Sequence, residues 1–223
     1  MHGGWYLIVT IDGPAGSGKS AAALMLAERL HAPHLDTGAM YRTVALLALD
    51  AGVLGDEEAV ARVAREMDLR FDWSKSPATV WVGGWNVSEA IRQPQVTAVT
   101  YISADNLGVR EELVRRQRVI GASVPILVTE GRDQGTLVFP KAEFKFYIDA
   151  APEERARRRV AQLAAKGIKA DFAEELARSV KRDAQDRARA VGGLARPKDA
   201  IVIDTTPLTL EQVVEEMVRI VGK

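Results

Sequence analysis

Short apolar runs alternate with longer helical patterns along this chain. Runs at residues 5–11, 33–35, 126–129, 144–148 and 201–203 predict strands. Their continuous apolar character suits strands covered on both faces. Between them, helical patterns span residues 21–30, 39–51, 96–106, 109–122, 152–166, 172–189 and 209–221. This alternation predicts an α/β fold, a central parallel sheet flanked by helices. Pro152 suits the first turn of its helix, and Thr209 with Gln212 predicts a capping box on the last one. One segment breaks the alternation. Residues 69–72, 79–82 and 85–87 read as three short strands, with Gly83-Gly84 as a hairpin turn. They predict a small β insert over residues 68–92, with the core made by residues 1–67 and 93–223.

The first strand ends in Gly13-Pro14-Ala15-Gly16-Ser17-Gly18-Lys19-Ser20, and a helical run follows. Every defined position of the phosphate-binding pattern G-x-x-x-x-G-K-[ST] is met, in the strand-to-helix context that it needs. The glycines let backbone N–H groups turn inward as an anion nest, and the helix start adds the positive end of its dipole. Lys19 is placed to reach the β- and γ-phosphates of a nucleotide, and the Ser20 hydroxyl to ligate Mg²⁺. The loop therefore predicts ATP-type binding, with Gly13, Pro14, Ala15, Gly16, Ser17, Gly18, Lys19 and Ser20 as its residues.

Composition narrows the class. The 223 residues are 47% hydrophobic and 27% charged, as in ordinary globular proteins. Thirty Lys and Arg balance thirty Asp and Glu, which argues against a nucleic-acid or membrane-surface binder. There is no Cys, so disulfides and thiolate metal sites are excluded, and three His leave little for a zinc site. Met1-His2-Gly3-Gly4 lacks the features of a signal peptide, and no apolar run is long enough to span a bilayer. A cytoplasmic enzyme is expected.

Three further clusters carry chemistry. Asp36-Thr37-Gly38 leads into a helix that Thr37 is expected to cap, with Arg42 about one turn in and able to meet a phosphate. Glu130-Gly131-Arg132-Asp133 lies at the C-terminal end of a predicted strand, where ligands bind in open α/β sheets. Arg132 suits a phosphate, Asp133 a base or sugar, and Glu130 a Mg²⁺ ion or its water shell. The third is a basic helical pair. It carries Arg155, Arg157, Arg158 and Arg159, then Arg182, Asp183, Asp186, Arg187 and Arg189. Arg182, Asp186 and Arg189 share one helix face, and a mobile arm of arginines can close over a transferring phosphoryl group. Arg157 and Arg187 are expected on a solvated face, as are Arg115, Arg116 and Arg118. Arg110 is a candidate base or phosphate contact. The Trp residues are expected in packing roles, and His31 and His34 outside catalysis.

Together these clusters resemble the bacterial cytidylate (CMP) kinases. The likeness rests on residues 10–20, 35–42 and 130–140 (Glu-Gly-Arg-Asp-Gln-Gly-Thr-Leu-Val-Phe-Pro), then on Arg182-Asp183, Asp186, Arg189 and residues 199–206. It covers nearly the whole chain in order, and the Gly-Arg-Asp-x-Gly-Thr-x-Val-Phe-Pro run is its most specific part. The resemblance implies a P-loop kinase of three parts: a core, a small acceptor-binding insert and a helical lid at about residues 155–192. It implies transfer from ATP to CMP or dCMP with Mg²⁺, giving ADP and CDP or dCDP, by a monomer without nucleic-acid or membrane partners. Carried over by position, Thr37, Arg42 and Arg132 surround the acceptor phosphate, and Arg110 and Asp133 read the cytosine. Arg182 and Asp186 contact the sugar, and Arg189 reaches the phosphates from the lid. Lys19, Arg132, Arg182 and Arg189 are the expected catalytic group. Two departures stand out. Tyr101 occupies the position of a base-contacting Ser, with Ser103 on another face, and Gly192-Gly193-Leu194 replaces Ala-Pro-Leu, suggesting a looser segment. The residues by themselves also fit a P-loop kinase for UMP, AMP or a non-nucleotide such as shikimate, or a nucleotide-dependent switch. The Asn-Lys-x-Asp run of guanine-reading switches is absent.

Overall fold

A computed structural model describes residues 7–165 and 167–222. The first four residues, the start of the predicted first strand at Trp5 and Tyr6, and the predicted end of the 152–166 helix at Lys166 lie outside the described residues. In chain order the elements begin with β1 (Leu7–Asp12), α1 (Lys19–Arg29), β2 (His34–Asp36), α2 (Thr37–Asp50) and α3 (Glu57–Glu66). Next come β3 (Leu69–Asp72), β4 (Thr79–Val82), β5 (Trp85–Asn86), α4 (Pro94–Asp105) and α5 (Leu107–Ser123). The chain ends with β6 (Ile126–Gly131), β7 (Phe144–Asp149), α6 (Pro152–Ala164), α7 (Phe172–Ala188), β8 (Ile201–Asp204) and α8 (Leu210–Val221). The chain divides into two compact units, one of residues 33–127 and one of residues 7–32 with 128–222.

The discontinuous unit carries the parallel sheet, in which β6, β1, β7 and β8 are successive neighbours. Val9 pairs with Phe144 and Ile11 with Phe146 between β1 and β7, and Ile148 pairs with Ile203 between β7 and β8. Val9, Ile11, Val128, Phe146 and Ile148 meet Leu26 of α1 and Val214 and Met217 of α8 in one apolar core. Their continuous apolar runs are thus explained by burial. The edge strand β8 departs from that expectation, because Ile201 and Val202 are exposed and only Ile203 reaches the core. Pro152 does open α6, and Thr209 and Gln212 form the expected reciprocal cap on α8.

The continuous unit holds a three-stranded antiparallel sheet, β3-β4-β5, with the helices α2 to α5. Val82 pairs with Trp85 across the Gly83-Gly84 turn, and Gly83 takes φ +56°. That left-handed value is the one a two-residue hairpin turn demands, so the dipeptide sets the register. Val80, Val87, Ile91 and Val96 pack with Ala39, Ala45 and Leu46 of α2 as a second core. Trp73 stacks on Phe71 at a centroid distance of 5.8 Å and donates to the His34 carbonyl. Trp85 does not follow the packing expectation, since it is 46% exposed at the hairpin tip. Arg116 also departs from its expected solvated face. It donates to the Arg65 and Met67 carbonyls and closes the C-terminal end of α3.

Candidate active site

The phosphate loop is fixed from both sides by its own unit. A Cβ on Gly13 would lie 2.0 Å from the Ile148 carbonyl oxygen, so no other residue fits there. Gly18 takes φ +90° and hands the chain to α1, whose first residue is Lys19. The loop is braced by basic side chains of α6. Arg155 is nearly fully buried; it donates to the Ala15 carbonyl at 3.2 Å and forms a bidentate pair with Asp183 at 2.6 and 3.1 Å. Arg158 donates to the Thr205 carbonyl, and the Thr205 hydroxyl donates to the Ser17 carbonyl at 2.9 Å. Arg155 is therefore committed to the loop's framework and is not available as a mobile arginine. Arg157, as expected, is an exposed partner of Glu154.

Inside the loop, Lys19 sits 3.8 Å from the Glu130 carboxylate and donates to the Pro14 carbonyl. Burial and then the Arg132 guanidinium bring its ammonium down to about 8, with Glu130 opposing them. The Ser20 hydroxyl donates to Glu130 at 2.7 Å. Lys19, Ser20 and Glu130 thus form one compact group, with two hard oxygen donors beside the phosphate nest. Among the described residues there is no cluster of three or more His, Asp or Glu side chains fit to hold a metal by themselves. Such a donor set suits Mg²⁺, which is usually bound through one or two protein oxygens together with phosphates and water.

A second group centres on Asp186 of α7. Arg132 donates to one of its oxygens at 2.8 Å and Arg189 to the other at 3.2 Å. Burial raises the Asp186 carboxyl, but Arg132, Arg182 and Arg189 outweigh it and hold the group below the usual carboxylate range. The charges of Arg182 and Asp186 also act on Lys19. Asp133 is buried and precedes a π-helical turn, Gln134–Val138. Beyond the C-terminal end of α7, Gly193 sits in close quarters, because a Cβ there would lie 2.9 Å from the Arg189 carbonyl oxygen. The Leu194 amide donates to the Asp186 carbonyl, and Leu194 is buried. Gly193 thus has a packing reason, and Gly192 takes the left-handed φ of +65°.

The other unit carries the remaining candidates. Asp36, not Thr37, caps α2; its carboxylate accepts from the Ala39 amide at 2.9 Å. The Asp-Thr-Gly run offers two capping residue types in a row, and the cap lies one residue earlier than expected. Thr37 is then the first helical residue and is buried. The same carboxylate receives Arg42 at 2.8 Å and Arg92 at 3.2 Å. Burial raises the Asp36 carboxyl, yet Arg42 and then Arg92 prevail and hold it below its ordinary value. Arg42 Nε is buried without a hydrogen-bond partner among the described residues. Arg110 lies over the Tyr41 ring at 5.5 Å and donates to the Ala104 carbonyl. Ser103 is fully buried and donates to the Tyr41 carbonyl, whereas Tyr101 is 61% exposed. The two indeed face differently.

The structure thus gathers Lys19, Ser20, Arg132, Arg182, Asp186 and Arg189 in one unit, with Asp133 on the turn beside Arg132. It gathers Arg42 with its Asp36 support in the other unit, where Thr37 and Arg110 also lie. Sequence reasoning missed Arg92, whose place depends on the short 3₁₀ turn after the small sheet. It also missed Asp12, a fully buried carboxylate at the end of β1.

A family model described as Cytidylate kinase matches residues 9–223. A protein named Cytidylate kinase from Geobacter sp. (strain M21) is 44% identical over 216 residues, covering 96% of this chain and 92% of its own. One of the same name from Vibrio cholerae serotype O1 is 42% identical over 213 residues, covering 95% of this chain and 94% of its own. Among solved structures, TT1252 from Thermus thermophilus is similar with a TM-score of 0.50 at 22% identity, over 96% of this chain and 95% of its own. That last likeness bears on the fold alone.

Proposed function

We propose, because this chain belongs to the cytidylate kinase family, that it transfers the γ-phosphoryl group of ATP to CMP or dCMP, giving ADP and CDP or dCDP. The observation that carries the reading beyond family membership is the joining of Lys19 and Ser20 of the phosphate loop with Glu130 of β6, on a loop braced by Arg155. Such a loop is built to hold a polyphosphate, and the preorganised charges around it stabilise a transferring phosphoryl group.

The mechanism needs no covalent intermediate. The acceptor's phosphate oxygen is already ionised at neutral pH, so no strong general base is required. Mg²⁺, when bound, neutralises charge on the β- and γ-phosphates; Ser20 and Glu130 are the residues that would hold it or its water shell. Lys19 orients the β- and γ-phosphates. Arg132, Arg182 and Arg189 stabilise the charge that redistributes onto the moving group, and Asp186 keeps Arg132 and Arg189 in place until then. For the acceptor we assign Thr37, Arg42 and Arg110, and Arg132, Asp133, Arg182, Asp186 and Arg189. Arg92 joins Arg42 in this assignment because both guanidiniums are anchored on one carboxylate. The small sheet at residues 68–92 supports the acceptor side, and residues 155–192 form the lid.

The test is ADP release from Mg·ATP with CMP, dCMP, UMP, AMP and GMP offered singly. CMP and dCMP should stimulate release strongly, with little effect of AMP or GMP. Stimulation by a different acceptor would move the specificity; stimulation by none would reject the reaction.

A further inference from the structure

The mechanism above leaves one buried carboxylate unused. Asp12 is the last residue of β1, immediately before the phosphate loop, and it is 0% exposed. Its two oxygens accept separate backbone amides, Gln134 N at 2.9 Å and Gly135 N at 2.7 Å. Those amides open the π-helical turn that follows Arg132 and Asp133. The Thr129 hydroxyl donates to the Gln134 side chain at 2.9 Å and ties the same turn to β6. The turn also has little room to shift, since a Cβ on Gly135 would lie 2.8 Å from Pro197 and 3.0 Å from the Thr10 hydroxyl.

We propose that Asp12 is a positioning residue, which pins the turn carrying Arg132 and Asp133 to the end of β1 and so sets those two side chains relative to Lys19. It is not a proton acceptor for the reaction, because both oxygens are committed to backbone amides and the side chain is sealed from solvent. Three features converge on this assignment. A carboxylate across the first amides of a helical turn satisfies donors that otherwise have no partner. Burial pushes the Asp12 carboxyl up to about 7, and the Gly135 and Gln134 amides act against that burial by favouring the charged form. Arg132 is the basic group with the largest influence on Lys19, so a small displacement of the turn changes the field at the phosphate loop. Asp12 thereby joins two motifs that are separated by more than half of the chain.

The inference rests on the proposed reaction, and the experiment separates the two. Four proteins are compared: wild type, Asp12→Asn, Arg132→Ala and the double variant. Asp12→Asn presents an amide NH₂ to one of the two backbone N–H groups, so it should speed amide exchange at Gln134 and Gly135 whatever the enzyme's substrate. It should also lower kcat/KM for CMP by about 10- to 100-fold with a much smaller loss of Mg·ADP affinity. The double variant should lose less than the two single losses combined, because part of the Asp12 effect runs through that arginine. Additive losses, or ADP affinity falling in step with kcat/KM, would mark a general structural role and overturn the proposal. Unchanged exchange at the two amides would overturn it as well. A wild-type protein inert toward CMP would instead reject the reaction. Should Asp12→Asn fail to fold, Gly135→Ala presses the same turn against Pro197 without touching Asp12. It should lower kcat/KM for CMP, again by less in the Arg132→Ala background than in wild type; wild-type turnover would contradict the assignment.

Discussion

Two arginine groups in this molecule are organised on a shared carboxylate, and they differ in what surrounds that carboxylate. Around Asp186, the Arg132 and Arg189 side chains are 18% and 11% exposed, beside a lysine whose charge is already costly. Around Asp36, Arg42 is 23% exposed with its Nε unpartnered among the described residues, and Arg92 is 58% exposed. The first arrangement concentrates positive charge at the expense of each group's own hydration, which an incoming polyphosphate relieves. The second is an open, pre-oriented fork for an anion.

Altering the sealed group should cost most. Lys19→Ala should lower kcat on the order of a thousandfold with the fold intact, as for loss of a group that stabilises transition-state charge. Steady-state rates with a melting curve decide this, and an unchanged rate would remove Lys19 from the mechanism. The brace beneath the loop is next. Arg155→Ala strands the buried Asp183 carboxylate and should cost about 3–5 kcal/mol of stability, read from denaturant unfolding. The open group should be gentler. Arg42→Ala should raise the KM for CMP about tenfold and Arg92→Ala about threefold, in keeping with a charged hydrogen bond and an exposed one. Equal effects would erase the contrast between a half-buried and an exposed arm.

The smallest test is titration. Burial and the Arg132 guanidinium bring Lys19 down to about 8, below its ordinary 10.5. Below 8 the ammonium is charged in both folded and unfolded chains, and the fold bears the full burial penalty. Above 10.5 it is neutral in both and the penalty vanishes, so the Lys19 contribution to stability improves as pH rises through that window. Nucleotide affinity runs the other way. A bound phosphate favours the charged form, so Mg·ATP binding should take up a proton near pH 8 and weaken by up to about tenfold per unit above it. Calorimetry in buffers of different ionisation enthalpy reads that proton. Affinity that stays flat to pH 9.5 would mean that Lys19 keeps its charge unaided.

Much of the sealed region was legible in the sequence because its elements are local. The phosphate loop is a contiguous motif between an apolar run and a helix, and Arg182, Asp186 and Arg189 share a face by spacing alone. What escaped depends on folding distant residues together. Asp12 gives no sign of its role until Gln134 and Gly135 arrive beside it. Arg155 reads as one more arginine in a basic helix until Asp183 and the Ala15 carbonyl surround it. The helix α3 was not expected at all. Its buried stripe is Val60, Ala61 and Ala64, small residues among many charges, and only the Asp56 cap announces it. Arg92 is placed by the small sheet and its following turn, which no motif describes. The shift of the α2 cap from Thr37 to Asp36 is a register of one residue that two adjacent capping residues leave open.

The central claim is that a phosphoryl group passes intact from ATP to a cytidine monophosphate. Phosphorus NMR of the purified protein with Mg·ATP and CMP follows both nucleotides at once. The account predicts that ADP and CDP grow together in equal amounts, with no inorganic phosphate. ADP accompanied by inorganic phosphate, and no CDP, would contradict it.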